Sequence, residues 1–356
     1  MLYKSVTVTL KQVICGFACI GFAIIIFANS KISATGAIDG LKLCGEIIIP
    51  SLFPFMVLTS FFQKSGGLEP IQKLLTPLTN CLFGLSGKEF AVFLLSLVSG
   101  YPVGASMLCD LYKSGQITER KANSMLTFCV NGGPAFIVMA VGNGILGNKS
   151  LGVRLLICHI IASCIIMSVV ANLVREKNLP QKPQLNTPIG DAFVLATKNS
   201  CNAIFMISGY VVLFSVITAL LTAVFGEFAI TNAILPFLEV TLGLCGPMGV
   251  DNLYAVSFLL GFGGFSVMFQ VLSGCRELKP NFFVVFLSRL AHGFISSIIL
   301  KISLVLFPES VSVMAGGLTV KGYSGSLSLS VALTFMCVVF MFFVNEKLYV
   351  ENSKIM

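Results

Sequence analysis

Charged side chains are scarce in this sequence. Asp, Glu, Lys and Arg make up 11% of its 356 residues, whereas 56% belong to the set AVILMFWYC. A typical soluble domain has about 25% charged residues, and the mean hydropathy here is +0.94. So little polar surface cannot coat a folded chain in water. The composition therefore excludes a soluble globular protein and predicts an all-α, polytopic membrane protein.

Patterns for metal, cofactor or nucleophile chemistry are also missing. The chain has two histidines, His159 and His292, and twelve cysteines without a C-x-x-C pair. We expect the histidines to pack between helices and the cysteines to be reduced packing residues. There is no P-loop, dinucleotide fingerprint or H-E-x-x-H motif. The sequence predicts no metal, no cofactor and no enzyme activity, which leaves transport driven by an ion gradient.

Membrane proteases are the enzyme alternative, because they also use broken helices. Residues 322–325 fit a G-x-S-G pattern, but a single membrane segment follows them and no histidine lies beyond His292. Asp110 and Asp251 are not arranged as paired intramembrane aspartates. The sequence therefore favours a loop turn at 322–325 over a protease site.

Uncharged apolar runs recur along the chain. Eight are 17 residues or longer, near the roughly 20 residues that cross ~30 Å of hydrocarbon. They cover residues 12–30, 47–63, 90–109, 122–148, 155–174, 199–226, 252–275 and 322–345. A ninth run, 280–307, is apolar except for Arg289 and Lys301. We expect eight to ten membrane segments, some of them discontinuous or re-entrant helices.

The net charge of +8 fits membrane topology. Lys and Arg fall mainly in short connections, where an excess of cations sets orientation, so we expect no nucleic-acid partner. The first run follows Lys4 and Lys11 and lacks a clear A-x-A-like cleavage site. It therefore predicts an uncleaved membrane helix rather than a signal peptide.

The two halves of the chain look related. Three segments recur at offsets of 159, 161 and 133 residues: 77–85 over 236–244, 99–104 over 260–265, and 159–166 over 292–299. Because the offset falls from 161 to 133, the first half contains about 28 residues that the second half lacks. Residues 118–147 are the candidate for this extra segment. Internal repeats with a binding site at their interface are common in transporters.

This organisation divides the chain into five parts. They are an N-terminal membrane helix (1–36), a first gate-like repeat (37–175), a loop (176–189), a second gate-like repeat (190–310), and a C-terminal membrane helix with a short tail (311–356).

Glycine and proline interrupt the runs at membrane depth. Residues 99–104 (SGYPVG), 131–134 (NGGP) and 261–264 (GFGG) should unwind, because glycine permits unusual backbone angles and proline lacks an amide donor. A fourth, weaker break is 50–54 (PSLFP). Unwound backbone is costly at this depth unless it lines a cavity or is buried in protein. A single break can also be a kink or a close helix crossing, but three breaks in two related halves favour a substrate site.

Half-helices that start at such breaks present free N–H groups and a positive dipole end, which suits an anion. Pro134 is well placed as the first residue of a half-helix, and Ser266 and Gln270 lie one turn apart on a shared face. The predicted substrate-binding residues are Ser99, Gly100, Tyr101, Pro102, Gly104, Asn131, Gly132, Gly133, Pro134, Gly261, Gly263, Gly264, Ser266 and Gln270.

Ionisable residues near the breaks give weaker signals. Glu239 lies among apolar residues and is the candidate for ion coupling; the alternative is an interfacial residue facing water. Glu46 precedes the fourth break. Arg276, Arg289 and Lys198 are candidates for balancing an anionic ligand, although Arg276 ends a run, where a long side chain can reach headgroups.

The motifs at 99–105 (SGYPVGA), 128–137 (FCVNGGPAFI) and 263–267 (GGFSV), with Gln270, resemble the YlbJ family of sporulation integral membrane proteins, also called stage V sporulation proteins. The resemblance covers about residues 46–307. It implies nucleoside-recognition "gate" repeats similar to those of concentrative nucleoside transporters. It also implies a role in spore cortex formation and in moving dipicolinic acid from the mother cell toward the forespore.

Residues and resemblance together predict a secondary transporter of a small organic anion, with dipicolinic acid as the specific candidate. Tyr101, Asn131, Ser266, Gln270 and the half-helix N-termini would hold this aromatic dianion. The alternatives are a non-transporting scaffold or assembly factor for the spore cortex, and a nucleoside-type transporter. The resemblance implies a multi-pass protein of the cell membrane, specifically the outer forespore membrane. Besides the lipid bilayer, a coupling ion and a second copy of the chain are open as partners.

Overall fold

The structure, a computed structural model, describes residues 2–174, 176, 187–226, 229–245 and 252–308. The predicted C-terminal part (311–356), with its G-x-S-G pattern, lies outside the described residues. So do Asp251 and most of the predicted loop 176–189.

Helices make up the regular structure, and no strand occurs in the part of the chain that the structure describes. The α-helices are α1 (Leu2–Ala28), α2 (Ser30–Leu43), α3 (Ile49–Lys64), α4 (Glu69–Phe83), α5 (Gly87–Ser99), α6 (Tyr101–Lys113), α7 (Glu119–Leu126), α8 (Lys149–Leu173), α9 (Ile189–Phe225), α10 (Ala229–Leu238), α11 (Val240–Cys245), α12 (Leu253–Phe262), α13 (Gly264–Gly274) and α14 (Phe282–Leu306). Two π-helical segments, Cys44–Ile48 and Ala135–Ile145, and a 3-10 turn, Arg276–Leu278, accompany them. The all-α prediction is confirmed.

Five helical stretches among the described residues are long and apolar enough to cross a membrane. They are Ser30–Lys64, Lys149–Leu173, Ile189–Phe225, Leu253–Gly274 and Phe282–Leu306. α4 and α5 form a sixth span if this pair, bent by 93°, counts as one. Two shorter apolar helical stretches, Gln12–Ala28 within α1 and Ala135–Ile145, accompany them. The chain is a multi-pass membrane protein with discontinuous segments, as its sequence predicts.

Large apolar side chains cover the outer faces of these helices. Phe17 and Phe27 of α1 are 71% and 84% exposed, and Phe283 of α14 is 70% exposed. Soluble monomers rarely expose contiguous apolar surface on this scale, whereas lipid tails solvate it. In contrast, Arg289 and Glu239 are buried inside the protein. The polar chemistry of this fold is therefore in its interior.

The fourth predicted break, at residues 50–54, is wrong. The helix runs without interruption from α2 through the π turn into α3, past both prolines. In the wider π turn, the Ile49 N–H donates to the Cys44 carbonyl, five residues back. The Ser51 hydroxyl donates to the Ile47 carbonyl at 2.6 Å. These bonds hold the helical turns on either side of Pro50, and the helix continues through both prolines.

α8 and α14 have the same length, and both of their ends are separated by the same number of residues. Each has 25 residues, and both ends of α14 lie 133 residues after those of α8 (282 − 149 and 306 − 173). The same 133 residues separate His159 from His292. The two helices pack against each other. Duplication of the two halves stays a prediction. A duplicated chain would contain helices of equal length at a constant offset, as α8 and α14 are.

A buried ion pair joins α7 to the start of α5. Lys121 Nζ lies 2.9 Å from Glu89 Oε2, and the two side chains are 5% and 3% exposed. The Glu89 carboxylate also accepts the Ser86 N–H at 2.7 Å, which closes a capping box at the N-terminus of α5. Lys121 Nζ donates to the Gly84 carbonyl at 3.3 Å. The pair therefore fixes the turn between α4 and α5 to the base of α7.

We predict that Lys121→Met lowers the free energy of unfolding by about 3–5 kcal/mol, because it leaves the Glu89 carboxylate buried without its partner. Lys113→Met is the matched control. Lys113 pairs with Glu277 at 2.6 Å, but these side chains are 50% and 52% exposed, and exposed pairs contribute about 0–1 kcal/mol. Denaturant unfolding in detergent measures both variants, and equal losses would contradict the prediction.

Candidate functional site

The predicted break at residues 99–104 narrows to one residue. α5 ends at Ser99 and α6 begins at Tyr101, so only Gly100 is non-helical, at φ 97° and ψ 175°. Unwinding of the whole hexapeptide is therefore wrong. Pro102 fits in the first turn of α6, where a missing N–H costs no intrahelical hydrogen bond. Glycine is required at position 100 because residues with a side chain rarely adopt this φ.

The break predicted at residues 131–134 is longer than expected. The chain leaves the helix after α7 and stays non-helical over residues 127–133, hereafter the unwound segment. Pro134 is the first helical residue after it, as the sequence predicts. A Cβ added to Gly133 would lie 3.1 Å from the Gly100 nitrogen. The first two breaks are therefore in direct backbone contact.

The second-half break lies against the same place. The break predicted at residues 261–264 narrows to Gly263, because α12 ends at Phe262 and α13 begins at Gly264. Gly263 and Gly264 have φ of 81° and 78°. The Tyr101 hydroxyl donates to the Leu260 carbonyl at 2.8 Å. The Tyr101 ring lies 3.6 Å from the position of a Cβ on Gly263. Tyr101 therefore connects the first-half break to the second-half break.

A further break, absent from the sequence-based predictions, lies at Glu239 between α10 and α11. A Cβ on Gly264 would lie 3.2 Å from the Val240 nitrogen, which puts this break against the previous one. A signal was present, because Pro236 precedes Glu239 and Gly243 follows it. We call Gly100, the unwound segment, Glu239, Gly263 and Gly264 the break cluster.

Four helices begin at the break cluster: α6, the π helix, α11 and α13. α6, the π helix and α13 have no side-chain cap. First-turn N–H groups lack intrahelical acceptors, and each helix N-terminus carries a partial positive charge. Each break therefore joins the C-terminus of one helix to the N-terminus of the next, and the N-termini present N–H groups to the interior of the protein.

Glu239 caps the fourth of these helices. Its Oε2 accepts the Leu242 N–H at 2.8 Å and its Oε1 accepts the Thr241 hydroxyl at 3.3 Å. Glu239 is 2% exposed, so the alternative of an interfacial residue facing water is wrong. Its role in ion coupling stays a prediction. Glu46, in contrast, is exposed on the first π turn.

Arg289 reaches from α14 to the unwound segment. Its guanidinium donates to the Val130 carbonyl and, at 3.1 Å, to the Thr127 carbonyl. Nη2 also lies 3.0 Å from Nδ1 of His292. The residue is fully buried. Arg289 therefore holds carbonyl groups that the end of α7 leaves without helical partners.

The two histidines meet beside this arginine. Their ring centroids are 4.2 Å apart and their planes are inclined by 33°. Arginine can only donate, so His292 Nδ1 accepts from Arg289, and His292 Nε2–H donates to the His159 carbonyl at 3.1 Å. His159 Nε2 accepts the Gly132 N–H at 3.0 Å. In this hydrogen-bond pattern both rings are neutral, and they pack between helices as predicted.

Arg289 is a buried charge that forms no ion pair with any described residue. Within the described ranges no carboxylate lies within 4.0 Å of its guanidinium. Lys198 and Arg276, the other cations proposed from sequence, are exposed. Burying one ion costs several kcal/mol, so an isolated buried guanidinium is expensive to keep. Three buried polar atoms at the unwound segment also have no hydrogen-bond partner: Asn131 Oδ1, His159 Nδ1 and Arg289 Nε.

The predicted polar ligands divide between two places. Asn131 Nδ2 donates to Ser96 Oγ at 2.9 Å and to the Phe128 carbonyl at 2.8 Å, within the break cluster. On α13, Gln270 Nε2 donates to Ser266 Oγ at 3.2 Å, which confirms their shared face. α13 packs against α6. Contact of any of these residues with a substrate stays a prediction.

Ser99, Gly104 and Gly261 make packing contacts. The Ser99 hydroxyl bonds to Thr59 Oγ1 of α3 at 2.8 Å. A Cβ on Gly104 would lie 2.0 Å from the Cys129 carbonyl oxygen, and one on Gly261 would lie 2.6 Å from Gly293 Cα. At these positions two backbone segments pack closely together. A role for these residues in substrate binding stays a prediction.

A polar cleft of about 350 Å³ lies apart from the break cluster. Its polar lining consists of Gln63, Lys64, Gln72, Lys88, Asp110, Ser114 and Gln116. Most of these residues stand near the ends of α3, α5 and α6. None of the predicted substrate-binding residues lines it, and the sequence-based predictions missed it because its residues come from separate connections.

Comparison with known proteins supports the resemblance seen in the motifs. Residues 47–149 match the family model described as "Gate: Nucleoside recognition". The chain is 28% identical over 312 residues to the sporulation integral membrane protein YlbJ of Bacillus subtilis (strain 168), covering 75% of this chain and 76% of the relative. The YlbJ resemblance is confirmed. No solved structure matches the chain.

The Gate segment, residues 47–149, holds only part of the break cluster. It contains Gly100 and the unwound segment. Glu239, Gly263 and Arg289 lie outside it. The second half of the chain therefore contributes two breaks, at Glu239 and Gly263, and the buried cation Arg289 to the candidate site.

We predict that Gly104→Ala destabilises the protein by about 1–3 kcal/mol, because its Cβ would overlap the Cys129 carbonyl and push the unwound segment away from α6. Gly209→Ala is the control. A Cβ on Gly209 in α9 would meet nothing within 4 Å, and alanine favours a helix interior by about 0.5–1 kcal/mol. Thermal unfolding in detergent should show opposite signs, and a neutral Gly104→Ala variant would refute the close contact.

Proposed function

We propose that this chain is a secondary membrane transporter of a small organic anion. The observation that supports it is the break cluster, where three uncapped helix N-termini meet beside the buried Arg289. Irregular backbone at membrane depth is tolerated where it is buried or lines a path. Discontinuous helices whose N-termini point to an anionic group are a recurring transporter design.

Dipicolinic acid, moved toward the forespore during spore formation, is the specific substrate we propose. The YlbJ relative is named for sporulation, and the resemblance implies movement of this compound. Dipicolinate is a small aromatic dianion. Its carboxylates suit the helix N-termini, and the Tyr101 ring, which packs edge-on to Phe136 with centroids 6.2 Å apart, offers an aromatic wall.

Glu239 is the residue that we propose for coupling to an ion. Its carboxylate is buried at the break cluster and bonded to one hydroxyl and one N–H. Buried carboxylates at membrane depth commonly exchange protons or bind cations. A nucleoside-type transporter is the second candidate, because the family model that matches residues 47–149 is described by nucleoside recognition.

Reconstituted vesicles test the proposal. Purified protein in liposomes should take up labelled dipicolinate under a proton or sodium gradient, and uridine serves as the competing substrate. Uptake of uridine without dipicolinate would favour the nucleoside alternative. Uptake of neither compound under any gradient would favour a scaffold or assembly factor and overturn the proposal.

Two amide substitutions test the site itself. Asn131→Ala and Gln270→Ala should each lower the initial uptake rate about tenfold, the equivalent of about one hydrogen bond, with normal protein levels. Asn123→Ala is the matched control, since its amide donates to the Leu278 carbonyl at 3.1 Å away from the break cluster. Unchanged uptake in both test variants would exclude these amides from the site.

A further inference from the structure

Arg289 keeps a positive charge in the interior of the protein although its hydrogen-bond partners are neutral. The hydrogen bonds to Thr127 and Val130 are to neutral carbonyl groups. Hydrogen bonds to neutral acceptors leave the positive charge itself unpaired, and burying an unpaired charge is costly. A positive charge retained here, with no carboxylate near it in the described residues, requires a second reason.

The groups that bond to the Arg289 guanidinium are two carbonyls and a neutral histidine ring. His292 accepts from the guanidinium and His159 accepts from the Gly132 N–H, so neither ring holds a proton that would add a cation. Glu239 satisfies its carboxylate with Thr241 and Leu242 instead of pairing with Arg289. The guanidinium therefore has no ion-pair partner among the described residues.

Three buried polar atoms beside the unwound segment have no hydrogen-bond partner. Arg289 Nε, His159 Nδ1 and Asn131 Oδ1 are buried and have no partner. All three residues bond to the unwound segment or belong to it. Buried polar atoms without partners are rare in folded proteins, and an unfilled ligand site is one explanation for a group of them.

We propose that Arg289 is the specificity-determining residue of the break cluster: it admits anions and rejects neutral or cationic molecules of the same shape. This inference rests on the proposed function and assigns its charge selectivity to one side chain. Arg289 acts through its fixed charge and by positioning the unwound segment. In the low-dielectric interior such a charge discriminates strongly between an anion and its neutral isostere.

Substrates of graded charge test the inference without any substitution. Liposomes containing the wild-type protein are given dipicolinate, the monoanion picolinate, and the neutral pyridine-2,6-dicarboxamide. The initial rates should fall in that order, with the diamide at least about tenfold below the dianion. Equal rates for dianion and diamide would overturn the proposal while leaving transport itself established.

Variants at position 289 then test whether the charge selectivity depends on the Arg289 side chain. Arg289→Gln should lower the dianion-to-diamide rate ratio about tenfold or more, whereas Arg289→Lys should keep much of the ratio because it keeps the charge. A purely structural role would lower both rates together and leave the ratio unchanged. Size-exclusion profiles and thermal unfolding in detergent show which variants are folded, and Arg289→Met, which also removes the charge, replaces Arg289→Gln if that variant is not folded.

Arg154→Gln is the matched control. Arg154 also donates to a backbone carbonyl, that of Phe307, at 2.8 Å, but at an exposed site on α8. Its rate ratio should equal that of the wild type. A wild-type protein that carries no dicarboxylate overturns the proposed function and this inference together, whereas an Arg289→Gln variant with an unchanged ratio overturns this inference alone.

Discussion

Every backbone N–H and C=O group at membrane depth needs a partner, because hydrocarbon offers none. An unbroken helix meets this demand by itself, but the helices at the centre of this protein are broken. The unwound segment is therefore stable only because side chains from elsewhere bond to it. Arg289 donates to two of its carbonyls and His159 accepts one of its N–H groups. The interior of the fold is arranged around supplying these bonds.

Small residues allow the broken pieces to come close enough for such bonds. Gly133 lies against Gly100, and Gly104 lies against the Cys129 carbonyl, at distances that leave no room for a Cβ. Gly100, Gly263 and Gly264 also take backbone angles that other residues avoid. The glycines of the break cluster thus serve two purposes. They permit the breaks, and they let the broken ends pack against one another.

The two halves of the chain are not equivalent at this centre. At the offset of 133 residues that relates His159 to His292, Arg289 falls on Leu156, which has no charge. The unwound segment belongs to the first half, and the arginine that satisfies its carbonyls belongs to the second. These two differences are linked. The long unwound segment of the first half leaves carbonyl groups without helical donors, and Arg289 of the second half donates to two of them. The Gate segment alone would leave those carbonyls without these donors.

The sequence by itself determined the membrane class, the helical architecture and the position of three breaks. Composition and glycine or proline chemistry are local properties, and they act wherever the residues occur. It failed at residues 50–54, where a π turn and the Ser51 hydroxyl keep the helix intact. It also failed at Glu239, whose break has a weaker local signal.

The tertiary structure decided which distant residues meet. In the sequence, Arg289 is one of three candidate cations, with Arg276 and Lys198, and the stacked histidines are two isolated residues. Their partners lie 162 and 133 residues away, on other helices. Hydropathy and turn chemistry carry no information about such long-range contacts, because these depend on how helices cross in three dimensions. Glycine and proline residues in the sequence predict the breaks, but only the packing of the helices shows that Arg289 lies beside them.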